Sequence, residues 1–367
     1  APTCARAAKK DQLMTYLATP QSAASSHAPA RDWVKVLAGY REPSMVRSLF
    51  ELAVTMVPIL ILGGAAVWST SISYWLTVLF SAAASGFLVR LFMIQHDCSH
   101  GAFFKSKRAN DWTGRVISVL TLTPFDLWKR SHNVHHSSQG NLDRRGIGDI
   151  MTLTVEEYNS RSFSGRLAYR LYRNPFVLFG VGPIFIFLFH HRVPIGFLRA
   201  GMKYWLSTMG TNIAVAALLI GGIAAVGWLP FLVVYLLITM LAAIIGVWLF
   251  YVQHQFEQTV WDGNDTWQLH EAALHGSSFY DLPQPLRWLT ANIGIHHVHH
   301  LNSRVPFYRL QQVLRDHPPL ARIGRMTILD SFKTTRLKLW DTSTRRLVSF
   351  KTARALCGEK ETLPMIQ

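Results

Sequence analysis

The chain has few charged residues for its length. Asp, Glu, Lys and Arg make up 16% of its 367 residues, whereas they make up about a quarter of an ordinary soluble chain. Two long blocks, residues 52–89 and 204–256, contain none of the four, and half of all residues are hydrophobic. This distribution argues against an ordinary soluble protein and indicates an integral membrane protein.

Cysteine is also scarce. The three cysteines, Cys4, Cys98 and Cys357, are widely spaced, which excludes a disulfide framework and fits a reducing compartment. The first 17 residues, APTCARAAKKDQLMTYL, contain no apolar core of the kind found in a cleaved signal. We therefore expect the first charge-free block to direct insertion into the membrane.

Each charge-free block is long enough for two membrane spans of about 20 residues, joined by the short turns STSIS and GWLP. The sequence therefore predicts an all-α integral membrane protein with four transmembrane helices in two hairpins. A helical cap, residues 95–203 and 253–367, completes the membrane domain 46–367, and residues 1–45 form an N-terminal segment. The predicted spans are residues 47–68, 73–94, 205–227 and 230–252.

The positive charge lies to one side of these hairpins. Neither turn carries a charge, whereas 13 Lys and Arg follow residue 300 and others flank the first hairpin. By the positive-inside rule the two turns face outward, and the cap and both termini are cytoplasmic. We expect the net charge of +16 to face anionic lipid. The sequence contains no aromatic and basic recognition motif, so we expect no nucleic-acid partner.

One further apolar segment, FVLFGVGPIFIFLF at 176–189, has only 14 residues and contains Gly and Pro. At this length a re-entrant or interfacial segment is expected rather than a span. A crossing here would also place the histidine clusters on opposite sides of the membrane. They could then not share a site.

Histidines occur in three clusters near the predicted cytoplasmic ends of the hairpins. The sequences are HDCSH, HNVHH and HHVHH. Spacings of three and four residues place the side chains of each cluster on one helical face. The candidate metal ligands are His96, His100, His132, His135, His136, His296, His299 and His300, and His297 is an extra histidine.

Eight imidazoles exceed the four ligands of one tetrahedral ion, so the clusters predict a site for two metal ions. Imidazole binds iron, zinc, copper and nickel, so the ligand type alone does not identify the metal. Two redox-active irons at the edge of a lipid phase would suit oxygen activation. Carboxylates that accept the distal imidazole N–H should orient the ligands; the candidates are Asp97, Asp143 and Asp149. A solvated charge cluster is the alternative for Asp143.

These motifs resemble the three histidine boxes of the membrane-bound fatty acid desaturases. The matching stretches are HDCSHGAFF, WKRSHNVHHSSQGNLDR and GIHHVHHLNSRVPFYRL, in the family's order. The resemblance extends over nearly the whole chain after about residue 40. It is nearest to the acyl-lipid type of bacteria and plants that acts at position nine or twelve.

The resemblance implies two non-haem iron ions as cofactors, O2 as co-substrate, and a membrane lipid acyl chain as substrate. It also implies an additional ligand near the end of the fourth span, where His254 lies. His270 and His275 are weaker candidates, and His190 with His191 are expected to mark an interface. The chain contains no HPGG haem motif, so a separate electron donor, a ferredoxin or a cytochrome b5-like protein, is expected. A bacterial inner membrane is the expected location.

Two other functions stay open at this point. A hydroxylase or a carotenoid-type oxygenase would use the same di-iron scaffold, and no motif separates it from a desaturase. A metal transporter or sensor would be a different class of protein. Against transport, residues 52–89, 205–227 and 230–252 of the predicted spans and their first turn contain no acid or histidine to mark an ion path, and Arg90 is expected to extend to the interface.

Overall fold

The computed structural model describes residues 29–361, and side chains are described as far as residue 356. This part of the chain is predominantly helical. Its main helices are α1 (Ala30–Leu37), α2 (Met45–Ser69), α3 (Tyr74–His100), α4 (Lys107–Leu120), α5 (Phe125–Ser138), α6 (Val155–Ser160), α7 (Phe163–Tyr172), α8 (Gly182–Leu188), α9 (Met202–Val226), α10 (Trp228–His254), α11 (Leu269–His275), α12 (Gln284–Leu289), α13 (His296–Leu301), α14 (Phe307–Asp316), α15 (Ile328–Thr334) and α16 (Phe350–Glu361).

Four of these helices, α2, α3, α9 and α10, are long and apolar enough to cross a membrane. They form two hairpins, as predicted, so the predicted fold class is confirmed. The helices of each hairpin have 25 and 27 residues, or about 37–40 Å at about 1.5 Å per residue. Because the hydrocarbon core of a bilayer is about 30 Å thick, helices of this length extend beyond it.

Local chemistry sets the ends of the hairpins. The hydroxyl of Ser44 accepts a hydrogen bond from the backbone N–H of Arg47 at the start of α2. The hydroxyls of Ser69 and Thr77 lie 3.1 Å apart where α2 meets α3. Gly227, with φ of 87°, connects α9 to α10, a conformation that glycine adopts without steric cost.

Arg90 does not reach an interface, contrary to the prediction. Its side chain is 1% exposed and forms an ion pair with Glu51 of α2, which is equally buried. The guanidinium also donates to the backbone carbonyl of Trp288 and lies over the Trp288 ring, 4.1 Å from its centroid. A buried charge is stable only when it is paired. Arg90 therefore connects both helices of the first hairpin to the cap.

The short apolar segment lies between α7 and α9. A π-helical turn (Val177–Val181), α8 and a 3₁₀ turn (His190–Arg192) follow one another, and the chain bends by 59° between α7 and this segment. The bend is that of a broken span or a re-entrant loop. The re-entrant placement stays a prediction.

The cap packs on the ends of the hairpins, and its described part, up to residue 361, contains five short strands. β1 (Leu153–Thr154), β4 (Leu339–Asp341) and β5 (Arg346–Val348) form one sheet in the order β1-β4-β5, and β2 (Phe279–Tyr280) pairs with β3 (Arg325–Met326). β4 is parallel to β1 and antiparallel to β5. These sheets hold the long loops of the cap against the helices that carry the histidines.

The predicted N-terminal segment, residues 1–45, is described from residue 29. Here α1 packs on α11 and α13, and the side chain of Leu37 is fully buried. Residues 1–28, which include Cys4, lie outside the described residues. The described end of the segment thus packs close to the third histidine cluster.

Candidate metal centre

Four helices bring nine histidines to one place. α3 and α10 each carry histidines at their last turns, and α5 and α13 lie across these helix ends in the cap. The structure groups the histidines in two sets, within each of which the candidate ligand atoms all lie within 4.8 Å of one another. The first set is His96, His100, His132, His136 and His299; the second is His135, His254, His296 and His300.

Within each set the Nε2 atoms point at one another. In the first, His132 Nε2 lies 3.1 Å from Nε2 of His100 and 3.1 Å from Nε2 of His136. In the second, His254 Nε2 lies 3.1 Å from Nε2 of His135 and 3.0 Å from Nε2 of His296. Two nitrogens bound at about 2.1 Å to one ion would be roughly 3.0–3.4 Å apart. The spacing therefore fits two ions, one in each set.

The two HxxHH clusters are each divided between the sets. On α5, His132 and His136 belong to the first set and His135 to the second. On α13, His299 belongs to the first set and the other two ligands to the second. In a helix the side chain of residue i+4 points slightly to one side of that of residue i, and the side chain of residue i+3 points to the other side. Each of these helices therefore lies between the two sets.

Five cap histidines of the two sets have a lowered pKa, which favours the neutral form that binds metal. Burial, together with the charge that neighbouring imidazoles would carry, holds the pKa of these cap side chains well below the usual histidine value. A lowered pKa keeps an imidazole neutral, and neutral imidazole is the metal ligand. This applies to His132, His136, His296, His299 and His300.

The three candidate carboxylates have different positions. Asp149 Oδ1 lies 2.5 Å from Nδ1 of His135, the position expected of a group that orients a ligand. Asp97 Oδ1 is 3.6 Å from Nδ1 of His96, and its other oxygen accepts a hydrogen bond from the backbone N–H of Phe307. Asp97 thus holds α14 close to the first set.

Asp143 does not contact an imidazole, contrary to the prediction. Its carboxylate accepts a hydrogen bond of 2.7 Å from the backbone N–H of Asn264. None of its hydrogen bonds in the described residues reaches a histidine. Its role is to hold the loop after α5 against the loop after α10.

The remaining histidines of residues 29–361 lie outside both sets. The Nε2 of His297 faces the carbonyl of Leu320 at 2.9 Å, so this residue joins α13 to the rest of the cap. His275 is exposed and lies 3.6 Å from Glu271. His270 belongs to neither set, whereas His254, the additional candidate, lies between His135 and His296.

A cavity of 470 Å³ adjoins the two histidine sets. His96, His132 and His296 form part of its wall, and the rest is mostly apolar. Small residues of α10, Ala242, Ala243 and Gly246, face side chains of α3 and of the segment that contains α8. This is the size and character of a small-molecule site.

Trp128 was not singled out from the sequence. Its ring stacks on His132, with 4.5 Å between ring centroids and 14° between planes, and it forms part of the cavity wall. The signal was the spacing of four residues from His132, which places both on one face of α5. Trp128 fixes the ring plane of this histidine beside the cavity.

Comparisons with known proteins agree with this geometry. The family model for fatty acid desaturases matches residues 69–329, which include all three clusters. A fatty acid desaturase of Bacillus subtilis (strain 168) is 44% identical over 319 residues, 86% of this chain and 90% of the relative. An sn-1 acyl-lipid omega-3 desaturase (ferredoxin) of Synechocystis is 28% identical over 76% of this chain and 77% of its own.

The chain therefore belongs to the fatty acid desaturase family, and it is a membrane-associated oxidoreductase of the desaturase class. A second Synechocystis relative, an sn-1 oleoyl-lipid 12-desaturase, is 27% identical over 61% of this chain and 63% of its own.

Proposed function

We propose that this enzyme introduces a double bond, at position nine or twelve, into a long acyl chain that is part of a membrane lipid. It would use two non-haem iron ions, O2 and two electrons from a separate donor. The observation that carries the proposal is the arrangement of nine converging histidines beside an apolar cavity. A saturated chain in this cavity would lie directly beside the metal centre.

The donor set fits two iron ions. Imidazole binds iron well, and each set offers four or five nitrogens. Bound iron would supply the redox chemistry that activates O2 toward an unreactive C–H bond. The chain's own residues hold the acyl chain against the centre and exclude water from it, while Asp149 fixes the ring of His135.

A lipid-linked substrate is favoured by the relatives. Two of them carry acyl-lipid or oleoyl-lipid in their names, and the cavity lies between helices that can cross a membrane. An acyl chain could therefore enter from the bilayer without leaving a lipid phase. The position of the double bond would follow from how far the chain extends past the metal centre.

The electron donor is proposed to dock on the cap where the metal centre comes closest to its surface. His100, His136 and His300 are partly exposed, whereas the other ligands are buried. Lys105 and Arg304 are exposed and lie within five residues of His100 and His300. Such a surface would attract an acidic partner, and the name of one relative includes ferredoxin. We place this surface on the cytoplasmic side of a bacterial inner membrane, following the charge asymmetry.

The reaction can be tested in a host that lacks desaturases. The chain is expressed in air with a ferredoxin system, and total fatty acids are analysed by gas chromatography and mass spectrometry. A new monounsaturated or diunsaturated acid is expected, and the position of its double bond is read from the same spectra. An enzyme with His299 replaced by Ala is the control for background.

Metal analysis of the purified protein completes the test. Two irons per chain are expected. A hydroxylated acid in place of an unsaturated one would identify a hydroxylase on the same scaffold, and an unchanged lipid profile with an active donor would indicate a non-acyl substrate such as a carotenoid. Zinc as the metal that supports activity would refute the iron assignment.

A further inference from the structure

A groove of 670 Å³ lies on the outside of the second hairpin, where α4 and α5 of the cap pack against the start of α9. The described residues that line it are all different from those of the cavity beside the histidines. We propose that this groove binds an anionic phospholipid, with the phosphate on Arg115 and Lys203 and one acyl chain along α9. This lipid site is separate from the proposed reaction and does not depend on it.

Two cations share one carboxylate at one end of the groove, and all three side chains line it. Nε of Arg115 donates to Oδ2 of Asp126 at 2.9 Å, and Nζ of Lys203 lies 3.0 Å from Oδ1 of the same residue. The side chain of Asp126 is 4% exposed, whereas those of Arg115 and Lys203 are 35% and 63% exposed. The two cations carry more N–H donors than one carboxylate accepts, so they can also bind a phosphate.

A second carboxylate beside the groove is shared in the same way. Nζ of Lys107 and Nζ of Lys129 lie 2.7 and 2.8 Å from the two oxygens of Asp111. Lys107, Asp111 and Arg115 follow one another at intervals of four residues, which places them on one side of α4. These two clusters contain more cations than acids and are together positively charged. A positive surface at a membrane attracts anionic lipid headgroups.

The groove continues from the charged end along α9 with a mostly apolar lining. Leu206, Gly210 and Ala214 line it, and their spacing of four residues places them on one side of the helix. The helix rises about 16 Å between Lys203 and Ala214, which is about half of the roughly 30 Å hydrocarbon core of a bilayer. The charged end and the apolar strip therefore match the headgroup and one acyl chain of a lipid in a single leaflet.

The charged end of the groove lies at the depth of lipid headgroups. Lys203 is the second residue of α9, a helix long and apolar enough to cross a membrane, so its ammonium is at the end of the span. Trp112, which also lines the groove, is 65% exposed, and the guanidinium of Arg115 lies 5.2 Å from the centroid of its ring. Exposed tryptophans are typical of the membrane interface. Arg115 and Lys203 are therefore positioned to meet a phosphate there.

The charges favour a lipid over a second copy of the chain as the occupant. Small residues on a membrane helix, such as Gly210 and Ala214, can also pack against another helix. A symmetric pair of chains would however bring the same two cations of each copy to the same depth, and like charges that face each other weaken an interface. An anionic headgroup instead complements Arg115 and Lys203.

The test measures lipid binding to the purified full chain in neutral detergent. Radiolabelled dioleoyl phosphatidylglycerol is the probe, and the competitors are unlabelled dioleoyl phosphatidylglycerol, dioleoyl phosphatidylcholine and sn-glycerol 3-phosphate. Phosphatidylglycerol should compete about fivefold better than phosphatidylcholine, the factor that one basic residue contributes at an anionic lipid surface. Lys203→Gln, which leaves Arg115 paired with Asp126, should remove most of this preference, and Lys203→Arg should retain it.

A second variant tests the apolar strip. A Cβ added at Gly210 meets no atom within 4 Å, and leucine favours a helix more than glycine does, so Gly210→Leu should not lower the melting temperature. Its side chain would occupy the space of the acyl chain and weaken phosphatidylglycerol about fivefold or more. Gly221→Leu makes the same change on α9 outside the groove, again with no atom within 4 Å, and should bind like the unmodified protein.

Arg199→Gln is the control for surface charge, since it removes an exposed arginine four residues before Lys203 that does not line the groove. It should keep the preference for phosphatidylglycerol. Equal competition by both lipids, a preference that survives Lys203→Gln, or an equal loss in Arg199→Gln would overturn the proposal.

Two other outcomes would assign the groove to a different occupant. If sn-glycerol 3-phosphate competes as well as phosphatidylglycerol, the cations bind a soluble phosphate and the lipid assignment is wrong. If the unmodified protein is a dimer that Gly210→Leu separates, with lipid binding unchanged, the groove is occupied by a second copy. Each result is obtained without turnover, so it stands whether or not the chain forms an unsaturated product.

Discussion

In each hairpin the second helix is more buried within the protein than the first. In the most apolar stretch of α3, 61% of the residues are buried, against 17% in α2; the corresponding shares are 28% in α10 and 11% in α9. The more buried helix of each pair is also the longer one, and its C-terminal end supplies histidines to the two sets. The outer helices contribute no histidine to either set.

The difference follows from length and order along the chain. In each hairpin the second helix runs toward the cap and continues past the apolar stretch, so His100 and His254 are its final residues. Helical hydrogen bonding continues to these positions and makes them rigid. A rigid support is what a metal centre needs, while the outer helix has only to cover the inner one.

The largest expected effect is on the inner helix α10. Replacing His254 by Ala removes the nitrogen that lies between His135 and His296. If His254 is the ligand that we propose, product formation should fall by more than the about 10- to 100-fold typical of an outer partner, and the iron content should fall toward one per chain. Replacing Val46, an exposed residue of the outer helix α2, by Ala should change neither. Full activity of His254→Ala would remove this histidine from the ligand set.

The second prediction concerns the contact between an inner and an outer helix. Glu51→Ala leaves the buried guanidinium of Arg90 without its acid. Breaking a buried pair from one side costs about 3–5 kcal/mol, measured as the shift of a denaturation curve in detergent. The double variant Glu51→Leu with Arg90→Met should regain most of this stability, since it removes both charges. If the double variant is no more stable than Glu51→Ala, the two side chains stabilise the fold in a way that does not depend on neutralising each other's charge.

The sequence alone predicted the helices and the histidine clusters but not how the histidines are divided between the two sets. The charge-free blocks predicted the four helices, and the histidine spacing predicted that each cluster shares one helical face. The division of His132, His135 and His136 between two sets could not be predicted. It depends on how α5 crosses the ends of α3 and α10, and helical spacing within one element carries no information about that crossing.

The carboxylates show a similar limit. Asp143 and Asp149 follow α5 within one loop, and from the sequence either could return to an imidazole. Gly146 and Gly148 have positive φ and turn the chain back, so that Asp149 reaches His135 while Asp143 points to the neighbouring loop. Loop geometry of this kind depends on tertiary contacts. Arg90 was mispredicted for a related reason, since its partner Glu51 is 39 residues away.

The third prediction uses this pair of carboxylates. Asp149→Asn keeps the shape of the side chain but removes the charge beside Nδ1 of His135. Activity and iron affinity should fall about 10- to 100-fold, as for other groups that orient a metal ligand. Asp143→Asn, matched in chemistry and located in the same loop, should lower iron affinity less than twofold. Equal effects of the two substitutions would show that the iron affinity depends on the net charge of the loop and not on the orientation of the His135 ring.

The smallest effect is expected inside the cavity, again on an inner helix. Ala243 of α10 is 5% exposed and forms part of the cavity wall, so Ala243→Phe would fill space that an acyl chain needs. If the added ring costs the bound 18-carbon chain about 1.4 kcal/mol, which lies within the range of about 1–3 kcal/mol known for overpacking, activity on that chain should fall about tenfold.

Shorter chains should be less affected by Ala243→Phe, because a filled wall excludes the far end of a long chain first. The iron content should be unchanged, since Ala243 belongs to neither histidine set. Ile220→Phe, at a position of the outer helix α9 that is 69% exposed, adds similar bulk toward lipid and should be neutral. The measurement is the ratio of 16- to 18-carbon products from mixed substrates. A ratio unaltered by Ala243→Phe would mean that the chain does not pass along α10, whereas a change in Ile220→Phe would mean that the outer helix also contacts the substrate.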